Sequence, residues 1–568
     1  MIALSLPGSA LETLEWSWEQ WRPAFDALRA APLSADTADA WLADWTRLDE
    51  LLSETYARLS LATNCDTTDA AAEARFNAFL SGVYPQAMAA DQELKDRLLA
   101  SGLEPAGFAV PLRNLRAEAE LFREANLPLE TEERRLGNEY NRLIGAQTIS
   151  WGGHELTIPQ TAPLLQNPDR ATREAVWRLA AARQLADREA INQIWRQLLA
   201  LRLQIAANAG EPDYRAYAWR LRKRFDYTPD DCLRFHEAIE AAAVPAAARV
   251  YARRAARLGL DRLRPWDTDA QPPDAAPLRP FADGAELAAR TEAVMGRVDE
   301  TFGAYLATMR REALLDLDNR KGKAPGGFCT SFPVARRPFI FMNAVGLPTD
   351  IRVLLHEAGH AFHVFESLHL PYHQQRDVSV EFAEVASMAM ELLAAPYLRR
   401  ADGGFYDEAG YARARVEHLE GILLFWPYMA VVDGFQHWAY THPADADDPA
   451  ACDAAWDKLW ARFMGAIDWS GLEAERATGW HRKQHIYRYP FYYVEYGLAQ
   501  LGAVQVWRAA LANQQAAVQA YRRALALGGT VTLPELYAAA GARFAFDTAT
   551  MQAAVELIET TIDGFSGA

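Results

Sequence analysis

The chain reads as mostly α-helical, and three observations lead there. Apolar residues recur at spacings of three and four from about Ala10 to Leu143, and again from Arg170 to about Leu258, in stretches rich in Ala, Leu, Glu and Arg. That periodicity marks consecutive amphipathic helices. Short proline- or glycine-containing breaks separate the runs, which predicts helices that turn back on one another. Strand-like composition is confined to two short places, residues 148–158 and 326–343.

In chain order, Pro32, Pro105 and Pro128 mark turns in the first helical array. Trp16, Trp18, Trp21, Trp41 and Trp45 are expected to pack in its core and grooves. Residues 148–158 place two β-rich pieces around Gly152-Gly153, a hairpin signal, with His154 as a solvated polar residue. Asn167-Pro168-Asp169-Arg170 starts the next helix, with Pro168 at or near its first turn. Helices then run to about Leu258 with breaks at residues 210–214 and 227–230, and the basic run 220–224 is expected to be a solvated helix face. Pro265, Pro272, Pro273, Pro277 and Pro280 exclude a regular helix, so residues 259–280 are a connection and helix resumes near Gly284.

Residues 326–332 and 337–343 predict a second hairpin. After it, Thr349 or Asp350 supplies the cap of a helix. Helices continue from about Asp350 to Asp468, with His437 expected as a satisfied core histidine, and again from Leu501 to Ala568. Gly528-Gly529 stops one of these and Leu533-Pro534-Glu535 begins another.

At 568 residues, 50% hydrophobic and 23% charged, the chain is long enough for two or more domains with a large core. We divide it at about residue 200, into an N-terminal helical lobe (1–200) and a second helical lobe (201–568). A net charge of −17 repels phosphates, which disfavours nucleic acid and anionic membranes as partners. Cys65, Cys232, Cys329 and Cys452 are scattered without C-x-x-C spacing, which suits a reducing compartment. The stretch Met1–Pro7 has no basic region and too short an apolar run for export, and no segment reads as a membrane span, so a cytoplasmic location is expected.

The chemistry concentrates at His356-Glu357-Ala358-Gly359-His360. Histidines four apart on a helix lie one turn above each other, about 40° apart around the axis, so both imidazoles reach one metal ion. Two imidazoles on zinc need a third protein ligand and leave a position for water, whose proton an adjacent carboxylate can take. Glu357 is that carboxylate, and the chemistry is that of a metallohydrolase. A purely structural histidine pair is the alternative, and the acidic helix that follows argues against it.

Residues 380–391 read as a buried helix carrying Glu381, Glu384 and Glu391 in an apolar run. Buried carboxylates are costly unless paired or bound to metal. Glu384, twenty-four residues past His360, is the expected ligand, while Glu381 or Glu391 can instead accept a hydrogen bond from a ligand imidazole. Geometry alone also allows His363 as a ligand.

A second cluster, in the stretch His485 to Gly497, packs five tyrosines and a histidine into the 12 residues 485–496. Each phenol brings a donor that must be satisfied if buried.

His356-Glu357-Ala358-Gly359-His360-Ala361-Phe362-His363, followed by Glu384-Val385-Ala386-Ser387 and Glu391, resembles the thimet oligopeptidase and oligoendopeptidase F family of zinc metallopeptidases. The hairpin and Asn-Pro-Asp-Arg helix start at 148–173 extend the likeness, closer to the oligoendopeptidase F branch. The resemblance implies a two-lobed, mostly α fold around a deep channel, with a small sheet beside the zinc helix. It implies one Zn²⁺ per chain held by His356, His360 and Glu384, Glu357 as general base, and His363 packed behind the site. It implies that Gly327, Phe328, Cys329 and Thr330 bind substrate by strand addition. His485, Tyr489 and Tyr496 would steady the oxyanion, with Tyr493 binding substrate and Tyr492 and Tyr493 as substitutes in the donor role. The expected substrates are short unstructured peptides.

Two alternatives stand beside this reading. One is a zinc carboxypeptidase or dipeptidyl carboxypeptidase in which Arg488 grips a free C-terminus, and the other is an inert peptide-binding helical protein.

Overall fold

A computed structural model describes residues 4–271 and 277–566. Met1, Ile2 and Ala3 of the N-terminal stretch, and Pro272 and Pro273 of the proline-rich connection, lie outside the described residues. Helices dominate, and the strands fall in the two stretches marked by the sequence plus one short addition.

The chain forms two compact units, each gathered from three segments. The first comprises Met1–Ala119, Leu278–Ala414 and Ala499–Phe544, and the second Glu120–Pro277, Arg415–Leu498 and Ala545–Ala568. These interleaved units do not follow chain order. The boundary near residue 200 is kept as a proposal about autonomous folding, which limited proteolysis with sequencing of the fragments would check.

In the first unit, Trp21, Trp41 and Trp45 are buried in a core with Leu28, Leu42 and Leu48, and Trp16 and Trp18 pack on its margin. Two of their polar edges are satisfied: the Trp41 indole donates to the Leu28 carbonyl at 3.0 Å, and that of Trp45 to Asp91 at 2.8 Å. Pro32 and Pro105 lie between helices as expected, and Pro128 sits in the first turn of the helix Leu127–Gly145.

Strands β1 (Thr148–Trp151) and β2 (His154–Thr157) form the first hairpin, with Gly152 and Gly153 both at positive φ in its turn. The next helix is Arg170–Ala186, capped by the Asp169 carboxylate accepting from the Ala171 and Thr172 amides. Pro168 stands immediately before the cap, next to the first turn.

The remaining sheet lies in the first unit. Strand β3 (Leu315–Asp318) runs parallel to β5 (Arg337–Ala344), and β4 (Phe328–Phe332) pairs antiparallel with β5. The order β3-β5-β4 puts the predicted hairpin strand β4 at an edge. Buried Ile340, Phe341 and Met342 make β5 the core strand, and Phe328 stacks on Phe341 at 4.9 Å. The chain from β5 enters the helix Pro348–Ser367 directly. Asp350 sits in the first turn of that helix and accepts from the Val345 and Leu347 amides, both at 2.8 Å, so the capping oxygen is supplied from inside the helix.

Candidate active site

The histidine-bearing helix Pro348–Ser367 and the acidic helix Val380–Ala394 pack closely against each other in the first unit. Gly359 is the contact: a methyl group there would meet the Ala386 carbonyl oxygen at 2.5 Å and the Ser387 Cα at 2.6 Å. Tyr521 donates to the same Ala386 carbonyl at 2.6 Å. The absence of a side chain at Gly359 thus sets how near the flanking His356 and His360 come to Glu384.

That approach brings His356, His360 and Glu384 together, with ligand atoms within 4.8 Å of one another. Glu384 Oε2 lies 3.3 Å from His356 Nε2 and 3.9 Å from His360 Nε2. Two atoms bonded tetrahedrally to one Zn²⁺ at its usual bond lengths are about 3.3 Å apart. Donor chemistry and spacing both fit that ion. Ser387 Oγ, one turn past Glu384, donates to Glu384 Oε2 at 3.1 Å and steadies the carboxylate. Glu391 takes the hydrogen-bonding part left open by the sequence, 2.8 Å from His356 Nδ1, which orients Nε2 toward Glu384. Glu381 is buried a turn earlier, where its charge acts on Tyr537. His363 is buried edge-on to Phe382, outside the group of converging donors.

The electrostatics of the three donors are those of a cation trap. Burial opposes a charge on His356, yet its hydrogen bonds to Glu384 and Glu391 outweigh that and leave the imidazole pushed up to about 10. Burial pushes His360 down to about 4. Burial also works against Glu384, but the neighbouring imidazoles hold its carboxyl below the ordinary value. Below about pH 10 the metal-free protein therefore keeps a proton on His356 that an incoming cation must displace. Cation uptake near pH 8 is expected to release about one proton, and affinity to fall as pH is lowered from about 10. Calorimetry in buffers of different ionisation enthalpy measures the proton release.

Glu357 is buried, and desolvation with the nearby Glu384 and Glu391 pushes its carboxyl up to about 7, against His356 and the Cys329 amide. A carboxyl near neutrality can both take and return a proton at physiological pH. The Cys329 amide hydrogen-bonds this carboxyl, which brings β4 beside the site. A side chain on Gly327 would come within 3.2 Å of Val353, so strand and helix approach closely there as well. Gly327 is exposed, and Phe328, Cys329 and Thr330 are half-buried.

The second unit gathers the tyrosine segment around His485. Its ring centroid lies 4.9 Å from Tyr493, 5.9 Å from Tyr492, and 6.1 Å from both Tyr489 and Tyr496. Burial, with the charges of Lys483 and Arg222, pushes His485 down to about 4, so it is neutral at physiological pH. Tyr493 is buried, Tyr489 is exposed, and Lys483 stands 3.7 Å over the Tyr493 ring.

The basic run 220–224 overturns its expectation as a solvated face. Arg222 donates to the Pro490 carbonyl at 2.8 Å, and buried Arg224 bonds the Phe491 carbonyl and pairs with Glu495 at 2.6 Å. Phe491 has φ of 62°, an uncommon backbone for a bulky residue, and its amide donates to Gln436 at 2.6 Å. Arg222, Arg224 and Gln436 thus clamp the turn that begins the tyrosine helix Tyr493–Ala512. The single acid Glu495 in an aromatic run was the sequence signal for a buried cationic partner.

A mostly helical chain that converges two imidazoles and a buried carboxylate on one point, with a further buried carboxyl beside them, is built as a metallopeptidase. The chain belongs to peptidase family M3, whose family model matches residues 163–556. No curated protein sequence matches it. Among solved structures it is similar to PZ peptidase A with an inhibitor, at 27% identity and a TM-score of 0.86 over 99% of both chains. A structure provisionally named oligoendopeptidase F shows 26% identity and a TM-score of 0.85, over 99% of this chain and 98% of that one. A further one so named, from Bacillus anthracis, is alike in fold, at 24% identity and a TM-score of 0.81 over 99% and 98%.

Proposed function

We propose that the protein is a zinc-dependent endopeptidase that hydrolyses peptide bonds in short oligopeptides, in the cytoplasm. The observation that carries this reading is the convergence of His356, His360 and Glu384 beside the buried Glu357 carboxyl. His356, His360 and Glu384 would hold the catalytic zinc ion, one at this site in each chain. Bound there, zinc supplies Lewis acidity at neutral pH, acidifying water and polarising the scissile carbonyl.

The protein's own groups do the rest. Glu391 fixes His356 and Ser387 fixes Glu384, so the donors need no reorganisation. Glu357 takes the proton of the attacking water and hands it to the leaving amine nitrogen, for which a pKa near neutrality suits it. Gly327 to Thr330 on edge strand β4 take the substrate main chain as an added strand, so that recognition is independent of side-chain sequence. His485, Tyr489 and Tyr496 donate to the oxyanion, and Tyr493 lines the substrate path. The substrates are short unstructured peptides, whose main chain is free to add to a strand edge.

Digestion of a peptide library with and without chelator, read by mass spectrometry, tests the whole reading. Internal cleavage that chelator abolishes, and that persists when C-termini are amidated, is the expected result. Cleavage only near a free C-terminus would favour the carboxypeptidase alternative with Arg488 as the grip. No cleavage of any member by the zinc-loaded protein would leave the inert peptide-binding alternative.

A further inference from the structure

The second unit carries another convergence of metal-binding side chains that the peptidase reading leaves unused. Cys232 and His236 lie four apart on the helix Pro229–Ala238, and Asp433 and His437 four apart on the helix Glu408–Thr441. Spacing of four puts each pair on one helix face, and the two faces meet in the interior. Cys232 Sγ, a carboxylate oxygen of Asp433 and a ring nitrogen of His437 all lie within 4.8 Å of one another. All four residues are buried, Cys232 and Asp433 completely.

The polar atoms at this point are badly served as a hydrogen-bond network. His236 Nε2 sits 2.9 Å from Asp433 Oδ2 and satisfies that oxygen. Among the described residues, Asp433 Oδ1 and His437 Nδ1 find no hydrogen-bond partner, though both are buried. His437 Nε2 faces Asp433 Oδ2 at 3.3 Å, sharing that oxygen with His236. The expectation of a satisfied core histidine is thus half right: His437 is in the core, with Nε2 facing Asp433 and Nδ1 unsatisfied. Native interiors rarely leave such atoms unpaired, and an ion is one of the few things that explains several at once.

We propose that Cys232, Asp433 and His437 bind a second divalent cation, zinc by the chemistry of the donors, with His236 holding the Asp433 carboxylate in place. The 3.3 Å between His437 Nε2 and Asp433 Oδ2 equals that between His356 Nε2 and Glu384 Oε2 at the peptidase site. Thiolate, carboxylate and imidazole together favour zinc over the hard cations, which take all-oxygen sites. A thiolate and a carboxylate neutralise a dication, so the complex is uncharged overall, which lowers the cost of burying it. Its role is to tie the helix Pro229–Ala238 to the helix Glu408–Thr441 inside the second unit.

The test uses the full-length protein, loaded with zinc, desalted and measured for metal by mass spectrometry. Wild type is expected to hold two cations per chain, the His356→Ala/His360→Ala variant one, and that variant with Cys232→Ser none. A zinc-loaded His356→Ala/His360→Ala protein that holds no metal overturns the proposal. Wild type holding a single ion that survives that double substitution would instead remove the ion from the peptidase site and leave this proposal standing. Cobalt substitution needs no change at the new site: a thiolate-to-cobalt charge-transfer absorption is expected in the double variant, and its absence there also overturns the proposal. If Cys232→Ser does not fold, that spectrum decides.

Discussion

Replacing Glu357 with Gln is expected to leave metal content unchanged and to lower kcat by about three orders of magnitude or more, within the range for losing a general base and the acid it becomes. Gln keeps the size of the side chain and its hydrogen-bonding reach toward the Cys329 amide, so β4 and the helix Pro348–Ser367 keep their packing. What it removes is a group that can bind and release a proton. Burial and the acidic neighbours push the Glu357 carboxyl up to about 7, so in the metal-free protein it is half ionised near neutrality. A dication a few ångströms away favours the carboxylate, so the acid limb of the kcat/KM profile is expected below pH 7 in the zinc-loaded enzyme. Gln has no such limb to lose, and the residual rate of the variant should be flat across that limb. Metal analysis with kcat and KM measured from about pH 5 to 8 checks both halves. A variant that loses its metal, or that turns over like the wild type, would take Glu357 out of the base's role.

Much of this was legible in the chain, and the failures have a common cause. Periodicity announced the helices because each buries one face in its own unit, and Gly152-Gly153 announced the first hairpin because two consecutive positive φ angles suit glycine. The candidate ligands were legible because metal chemistry limits which side chains serve and how far apart on a helix they stand. Strand β3 was missed: four residues, Leu315 to Asp318, carry too little pattern, and a parallel partner can lie anywhere later in the chain. The basic run 220–224 was misread for a related reason. Its partners, Pro490, Phe491 and Glu495, lie some 270 residues away, and charge alone does not say which face of a helix will be covered. His437 was placed correctly in the core, but whether its nitrogens would be satisfied there depended on Cys232, His236 and Asp433, a tertiary fact.

Gly359→Ala is expected to abolish metal binding at His356, His360 and Glu384, and hydrolysis with it, although it touches neither ligand nor base. The added methyl would sit 2.5 Å from the Ala386 carbonyl oxygen and 2.6 Å from the Ser387 Cα, contacts with backbone that no rotamer change relieves. The acidic helix must therefore shift, and the same segment carries Glu384 and Glu391, which serve His360 and His356. Donor atoms now 3.3 to 3.9 Å apart bind one ion only while that spacing holds, so a displacement on the order of 1 Å removes a ligand. Overpacking typically costs about 1–3 kcal/mol, and losing a bound cation subtracts its own stabilisation. The melting temperature of the zinc-loaded protein should fall well below that of wild type, whereas the two metal-free proteins should differ by the overpacking cost alone. Melting curves with and without zinc, beside metal analysis, separate these contributions. A Gly359→Ala protein that keeps its zinc and its rate would show that the approach of the two helices does not set the ligand geometry.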